Sequence, residues 1–164
     1  MTLDEAFTRR LAAEIEHELQ GLDALRDELA AAPPSDDTFA LRARGSVLHD
    51  FYGGVERIFV RIAEELNGGL PQGERWHRQI VTDMTLDIPD VRPAVIDAAL
   101  AEELGAFLRF RHVFRNVYGS LLQAERMRPL EERLPDVLAA FRRQVRAFLK
   151  WMVGARTSRR ESAP

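Results

Sequence analysis

The sequence predicts an all-α protein, an up-and-down bundle of four main helices with a short extra one. Three observations lead to that class. Apolar residues recur at helical spacing along most of the chain. No segment alternates with the two-residue rhythm of a half-buried strand, and Gly and Pro fall between the helical stretches rather than within most of them.

The first helix opens on a capping box, Thr2 with Glu5 three residues on, in which each side chain satisfies an orphan amide of the first turn. Phe7, Leu11, Ile15, Leu22, Leu25 and Leu29 trace its apolar stripe as far as Pro33-Pro34. Ser35-Asp36-Asp37 supplies the next cap. The second helix carries Leu41, Leu48, Phe51, Tyr52, Val55, Ile58, Phe59, Ile62 and Leu66 before Gly68-Gly69 and Pro71 end it. Gly53-Gly54 lies inside this helix, where each glycine costs about 1 kcal/mol relative to alanine. Close approach of a second helix would account for the pair, and so would a bend; the spacing does not choose.

A shorter third helix is expected from about Gly73 to Leu86, with Trp76, Ile80 and Met84 inward. Ile88 to Pro93 forms a rigid connector, and Pro93 suits the first turn of a fourth helix running to about Gly119. A last helix fills Pro129 to Val153, with Pro135-Asp136 expected to restart it rather than lie in its middle. Residues 1–154 then form one domain, and residues 155–164 a polar, disordered tail.

Composition narrows the chemistry. A chain of 164 residues can bury one core without disulfides. It has no cysteine, hence no thiolate nucleophile and no cysteine-based zinc site. Its histidines, His17, His49, His77 and His112, are not at metal-ligand spacing, so neither a metal nor another cofactor is expected. No glycine-rich phosphate loop or nucleophile elbow is present. The absence of a signal-like apolar segment or a spanning run predicts a cytoplasmic protein with no membrane association. Net charge is -3, so any contact with a polyanion must be local. Lys150 is the sole lysine among the cationic residues, a bias that a GC-rich genome explains without function.

Phe110 to Tyr118 is the stretch richest in chemistry. From Arg111 it sets two arginines, a histidine, an amide and a phenol in a short space: Arg111, His112, Arg115, Asn116 and Tyr118. At about 100° per residue Arg111, Arg115 and Tyr118 make one polar stripe. His112 and Asn116, four apart, form a second pair, while Phe110, Val113, Val117 and Leu121 should face the core. Arginines in this company form an anion site, with Arg111 and Arg115 as phosphate or RNA contacts. The bland alternative is a solvated stripe paired with Glu102, Glu103 and Glu125. Glu56 and Arg57 could pair across the bundle but default to surface charge, and His49-Asp50 and Trp76-His77 default to isolated structural residues.

This run resembles the Arg-x4-His-x-Tyr signature of the HepT-like branch of the HEPN superfamily of ribonuclease toxins. The resemblance extends to His49-Asp50-Phe51-Tyr52, Val55 to Phe59, Gly68 to Pro71 with Trp76-His77, and Leu108 to His112, covering roughly residues 35–125. It implies a HEPN-like helical homodimer with the motif helices facing each other across an RNA cleft. It also implies metal-independent endoribonuclease chemistry, in which the motif arginine contacts the scissile phosphate and the histidine assists the ribose 2′-hydroxyl. A nucleotidyltransferase-type antitoxin that adds AMP to the motif tyrosine is the implied partner. By position Arg111 matches the arginine and Tyr118 the modifiable tyrosine.

Asn116 stands where the family has its histidine. A carboxamide neither accepts nor donates protons usefully near neutrality, whereas general acid-base assistance is worth typically 10²–10⁴-fold. The resemblance therefore implies an attenuated ribonuclease. His112 is one turn away and either replaces the missing imidazole or merely orients Arg111 or packs at the interface. Two alternatives stand beside it: a non-catalytic helical dimer that binds RNA, a nucleotide or a partner, and a purely structural dimer.

Overall fold

Residues 5–116 and 121–160 are described by a computed structural model. Five helices make up the architecture: α1 (Glu5–Ala31), α2 (Thr38–Leu66), α3 (Trp76–Met84), α4 (Ala98–Asn116) and α5 (Ala124–Arg160). Among the described residues there is no strand, only an isolated bridge between Ile88 and Arg92. The all-α bundle expected from periodicity is the fold observed. Thr2 of the expected capping box lies outside the described residues.

The second helix is the hub, packing against each of the other four. Its start follows from Asp37, whose carboxylate accepts a hydrogen bond from the Ala40 amide at 2.9 Å. Leu48, Phe51, Tyr52, Val55, Ile58, Phe59 and Ile62 are all fully buried, so this helix is apolar around much of its girth. Gly54 marks close helix approach: a Cβ there would lie 2.5 Å from Leu22 Cδ2 of α1. Gly53 has more room, its nearest neighbour being Arg57 Nη1 at 3.6 Å.

Four expectations need correction. The fourth helix begins at Ala98, not at Pro93. The Asp97 carboxylate accepts from the Leu100 amide at 2.8 Å, and the amides of Val95 and Ile96 bond to the Met84 carbonyl instead of joining a helix. Arg92 fastens the same connector. Only 2% exposed, it donates to Asn67 Oδ1, to the carbonyls of Leu86 and Pro93 and to that of Asp83. Its guanidinium thereby satisfies α3's C-terminal end, where orphan carbonyls favour a cation.

The last helix is continuous through Pro129 and Pro135. A proline inside a helix costs about 3 kcal/mol or more. Burial of Leu134, Val137, Leu138 and Phe141 around that turn offsets it. This helix also runs past Gly154 to Arg160, so the disordered tail expected from residue 155 is helical over its first part. Extending an existing helix adds a hydrogen bond for each residue fixed, without a new nucleation step.

Val113 and Leu121 were expected in the core and are exposed, at 46% and 62%. Leu100, Leu104, Phe107 and Phe110 occupy the inward line of α4 instead. Phe114 continues that line half-buried, its ring 5.8 Å from that of Phe110. Gly45 of α2 leaves the room for it, since a Cβ there would lie 2.8 Å from Phe114 Cε2. Val117 lies outside the described residues.

Candidate functional site

Tyr52 and Glu56 are one turn apart on α2, within its buried stripe. A carboxylate in such a position requires a cation, because an unpaired buried charge is prohibitively costly. Two helices supply partners. Arg111 of α4 donates from Nη1 to Glu56 Oε1 at 2.7 Å, and His77 Nδ1 of α3 lies 2.7 Å from Glu56 Oε2. One carboxylate therefore ties α2, α3 and α4 together.

Aromatic rings frame this triad. The guanidinium carbon of Arg111 sits 5.8 Å from the Tyr52 ring centroid, within cation–π range. Trp76 stacks on His77 with centroids 3.8 Å apart and planes 30° apart, fixing the imidazole's plane. Burial pushes the Tyr52 phenol well above its ordinary pKa; the negative charge of Glu56 adds to the rise and Arg111 opposes it. The Tyr52 hydroxyl and Arg111 Nε are buried without a hydrogen-bond partner among the described residues.

The geometry also assigns the imidazole tautomer. An ionised carboxylate only accepts hydrogen bonds, so His77 donates from Nδ1, and the neutral form of the ring carries its lone pair on Nε2. A third of the His77 side chain is exposed, against 8% for Glu56 and 15% for Arg111. The histidine is the wet edge of an otherwise buried cluster.

The residues singled out in the motif part company. Arg111 turns inward to Glu56, whereas His112, Arg115 and Asn116 are exposed. The single arginine stripe is therefore split, and Tyr118, its third member, lies outside the described residues. Asn116 Nδ2 donates to the His112 backbone carbonyl at 2.7 Å, so the pair meets amide to main chain and not amide to ring. The rival pairing with nearby glutamates also fails for Arg111, and Glu103 is taken by Arg133.

Glu56, His77 and Tyr52 escaped the reading of the motif. Surface charge, the default for Glu56, is wrong: it is buried and pairs across the bundle, while Arg57 does lie outward, paired with Glu18 at 3.1 Å. The available signal was the register of Glu56. It falls four residues after Tyr52 and between Val55 and Phe59, in a stripe with no room for a solvated carboxylate.

Local charge favours an anion here despite the net balance. Arg75, just before α3, and Arg78 within it lie close to His77 in sequence, and Arg109 and Arg115 flank Arg111 on α4. All four are exposed and none has an ion-pair partner among the described residues. A groove of about 410 Å³ between α1 and α2 has the opposite character. Its walls include Glu14, Glu18, Glu56 and Glu64 against Arg57 and Arg61, the wrong sign for a polyanion. Among the described residues no group of three or more His, Asp or Glu could hold a metal ion, and no helix is long and apolar enough to cross a membrane.

The model of one protein family, described as HepT-like protein, matches residues 43–152. That interval takes in most of α2, all of α3 and α4, and most of α5. No curated protein and no solved structure matches the chain.

Proposed function

The chain belongs to the HepT-like family, and from that premise we propose that it is the toxin component of a toxin–antitoxin pair. In this reading it is a cytoplasmic homodimer that engages RNA at the C-terminal half of α4 and cleaves it without metal, at a rate attenuated by Asn116. Arg111 provides the fixed positive charge beside the scissile phosphate, Arg115 an exposed phosphate contact, and Tyr118 the position open to AMP transfer by a nucleotidyltransferase-type antitoxin. The HEPN-type helical scaffold is common to all of these roles.

The observation that carries this reading is the state of Asn116. It occupies the place of the family's proton-transfer residue, and its amide is turned back onto the His112 carbonyl. A group so engaged caps its own helix and cannot relay a proton. Purified wild-type protein and Asn116→His incubated with single-stranded RNA test it. The substitution should raise cleavage by roughly 10²–10⁴-fold. An Asn116→His protein that folds but leaves RNA intact would overturn the nuclease reading.

The Glu56 contact favours a second reading. Because this carboxylate already neutralises Arg111, the surface works as a binding module rather than a catalyst. RNA affinity would then fall with salt in proportion to the phosphates contacted, and Arg115→Ala would lower both the affinity and the salt slope without any turnover being lost. Affinity insensitive to salt removes this alternative.

A further inference from the structure

Asn116 leaves α4 without the motif imidazole, but the fold delivers another one to the carboxylate that holds the motif arginine. We propose that His77 is the proton-transfer residue of this chain, with Glu56 as its positioning residue and Arg111 as the neighbouring charge. The inference rests on the RNA-cleaving reading above and assigns the residual activity of the wild type to a site that the α4 motif does not contain.

The arrangement has the parts that imidazole catalysis needs. Glu56 accepts from Nδ1 and fixes the tautomer, as a buried carboxylate does wherever a histidine must act through its other nitrogen. Trp76 fixes the plane of the ring. Nε2 makes no hydrogen bond among the described residues and belongs to the most exposed side chain of the cluster. Arg111, bonded to the other oxygen of the same carboxylate, holds that carboxylate in place behind the ring. Arg75, just before the same helix, and Arg78 within it are exposed and unpaired among the described residues, which suits an approaching phosphodiester.

The step balances without a metal or a redox partner. His77 Nε2 takes the proton of the ribose 2′-hydroxyl as the 2′-oxygen forms a bond to the adjacent phosphorus. The bond from phosphorus to the 5′-oxygen breaks, and that oxygen takes a proton from solvent. A 2′,3′-cyclic phosphate and a 5′-hydroxyl result, and the imidazolium returns its proton to water. The charged and titratable groups around it are Glu56 from α2, which bonds the ring, Arg111 from α4 on the same carboxylate with Tyr52 beneath it, and Arg75 and Arg78, its near neighbours in sequence.

A purely structural His77, which only helps to hold Glu56, must be distinguished from a catalytic one. Four full-length proteins on an end-labelled mixed-sequence RNA oligonucleotide do so: wild type, His77→Gln, Asn116→His, and the two substitutions together. The expected result is slow wild-type cleavage that falls by roughly 10²-fold or more in His77→Gln. In the Asn116→His background, where a motif imidazole is restored, the same substitution should cost far less. The wild-type rate should also rise with pH as one base loses its proton, and that limb should vanish in His77→Gln.

Equal losses in both backgrounds, or no loss in the wild type, would overturn the assignment. A wild type that is inert while Asn116→His cleaves also overturns it, but leaves the RNA reading standing. If Asn116→His is inert as well, the reading and the inference fall together. Should His77→Gln not fold, the wild-type profile decides, and a rate with no rising limb over the pH range in which the protein stays folded refutes the role.

Discussion

Arg111 and Glu56, fifty-five positions apart in sequence, form an ion pair at 2.7 Å with the guanidinium 15% and the carboxylate 8% exposed. The pair joins α4 to the hub helix and removes Arg111 from the exposed stripe in which Arg115 remains. Its energetics follow from burial. Desolvating two charges is costly, and their attraction together with the His77 contact offsets that cost only while every member is present.

Glu56→Ala should therefore destabilise the fold by about 3–5 kcal/mol, since it strands Arg111 in a buried site. For a domain of this size that lowers Tm by on the order of 10 °C. The paired replacement Glu56→Leu with Arg111→Met should recover most of the loss, because apolar side chains of similar volume need no partner. Urea titrations of the single and paired variants measure both. A paired variant as weak as the single one would contradict this account.

The adjacent glycines of α2 should respond in opposite directions. Gly53→Ala meets only Arg57 Nη1, at 3.6 Å, and should stabilise the protein by about 0.5–1 kcal/mol through helix propensity alone. Gly54→Ala places a methyl group 2.5 Å from Leu22 Cδ2, a side chain 1% exposed. Overpacking of this kind costs typically 1–3 kcal/mol, more than the propensity gain. Thermal melts of the two variants should bracket the wild type.

The stability plateau should be bounded on both sides by identifiable groups. Burial raises the Tyr52 phenol above its unfolded value, so its contribution is complete below about pH 10 and is lost as pH climbs beyond. Asp37 is displaced downward by its bonds from Ser35 and the Ala40 amide, and Glu16 by its bond with Arg146. Their contributions are complete above roughly pH 4 and fade as pH falls through their lowered native values. Tm measured from acid to alkali checks the shape. Ultraviolet titration near 295 nm should find the Tyr52 phenol still protonated above pH 10 until the protein unfolds.

Much of the fold was legible because its signals are local. The apolar stripe of α2, its Asp37 cap and its Gly68-Gly69 terminator all lie within a turn or two of the residues they govern. The boundaries that misled were those where a distant contact outweighs a local preference. Pro135 reads as a break, yet the buried side chains around it hold α5 together. Pro93 reads as a helix start, yet its carbonyl accepts from buried Arg92 and the helix waits for Asp97.

The sequence by itself determined the helical class, the family likeness and the position of Arg111, His112, Arg115 and Asn116 on one helix, because periodicity and motif spacing are properties of neighbouring residues. Only the tertiary structure decided that Arg111 turns inward, that Glu56 is its partner and that His77 completes the triad. Those contacts join residues fifty-five and twenty-one positions apart on three helices. They arise because a carboxylate placed in the buried stripe of α2 must find its cations wherever packing delivers them.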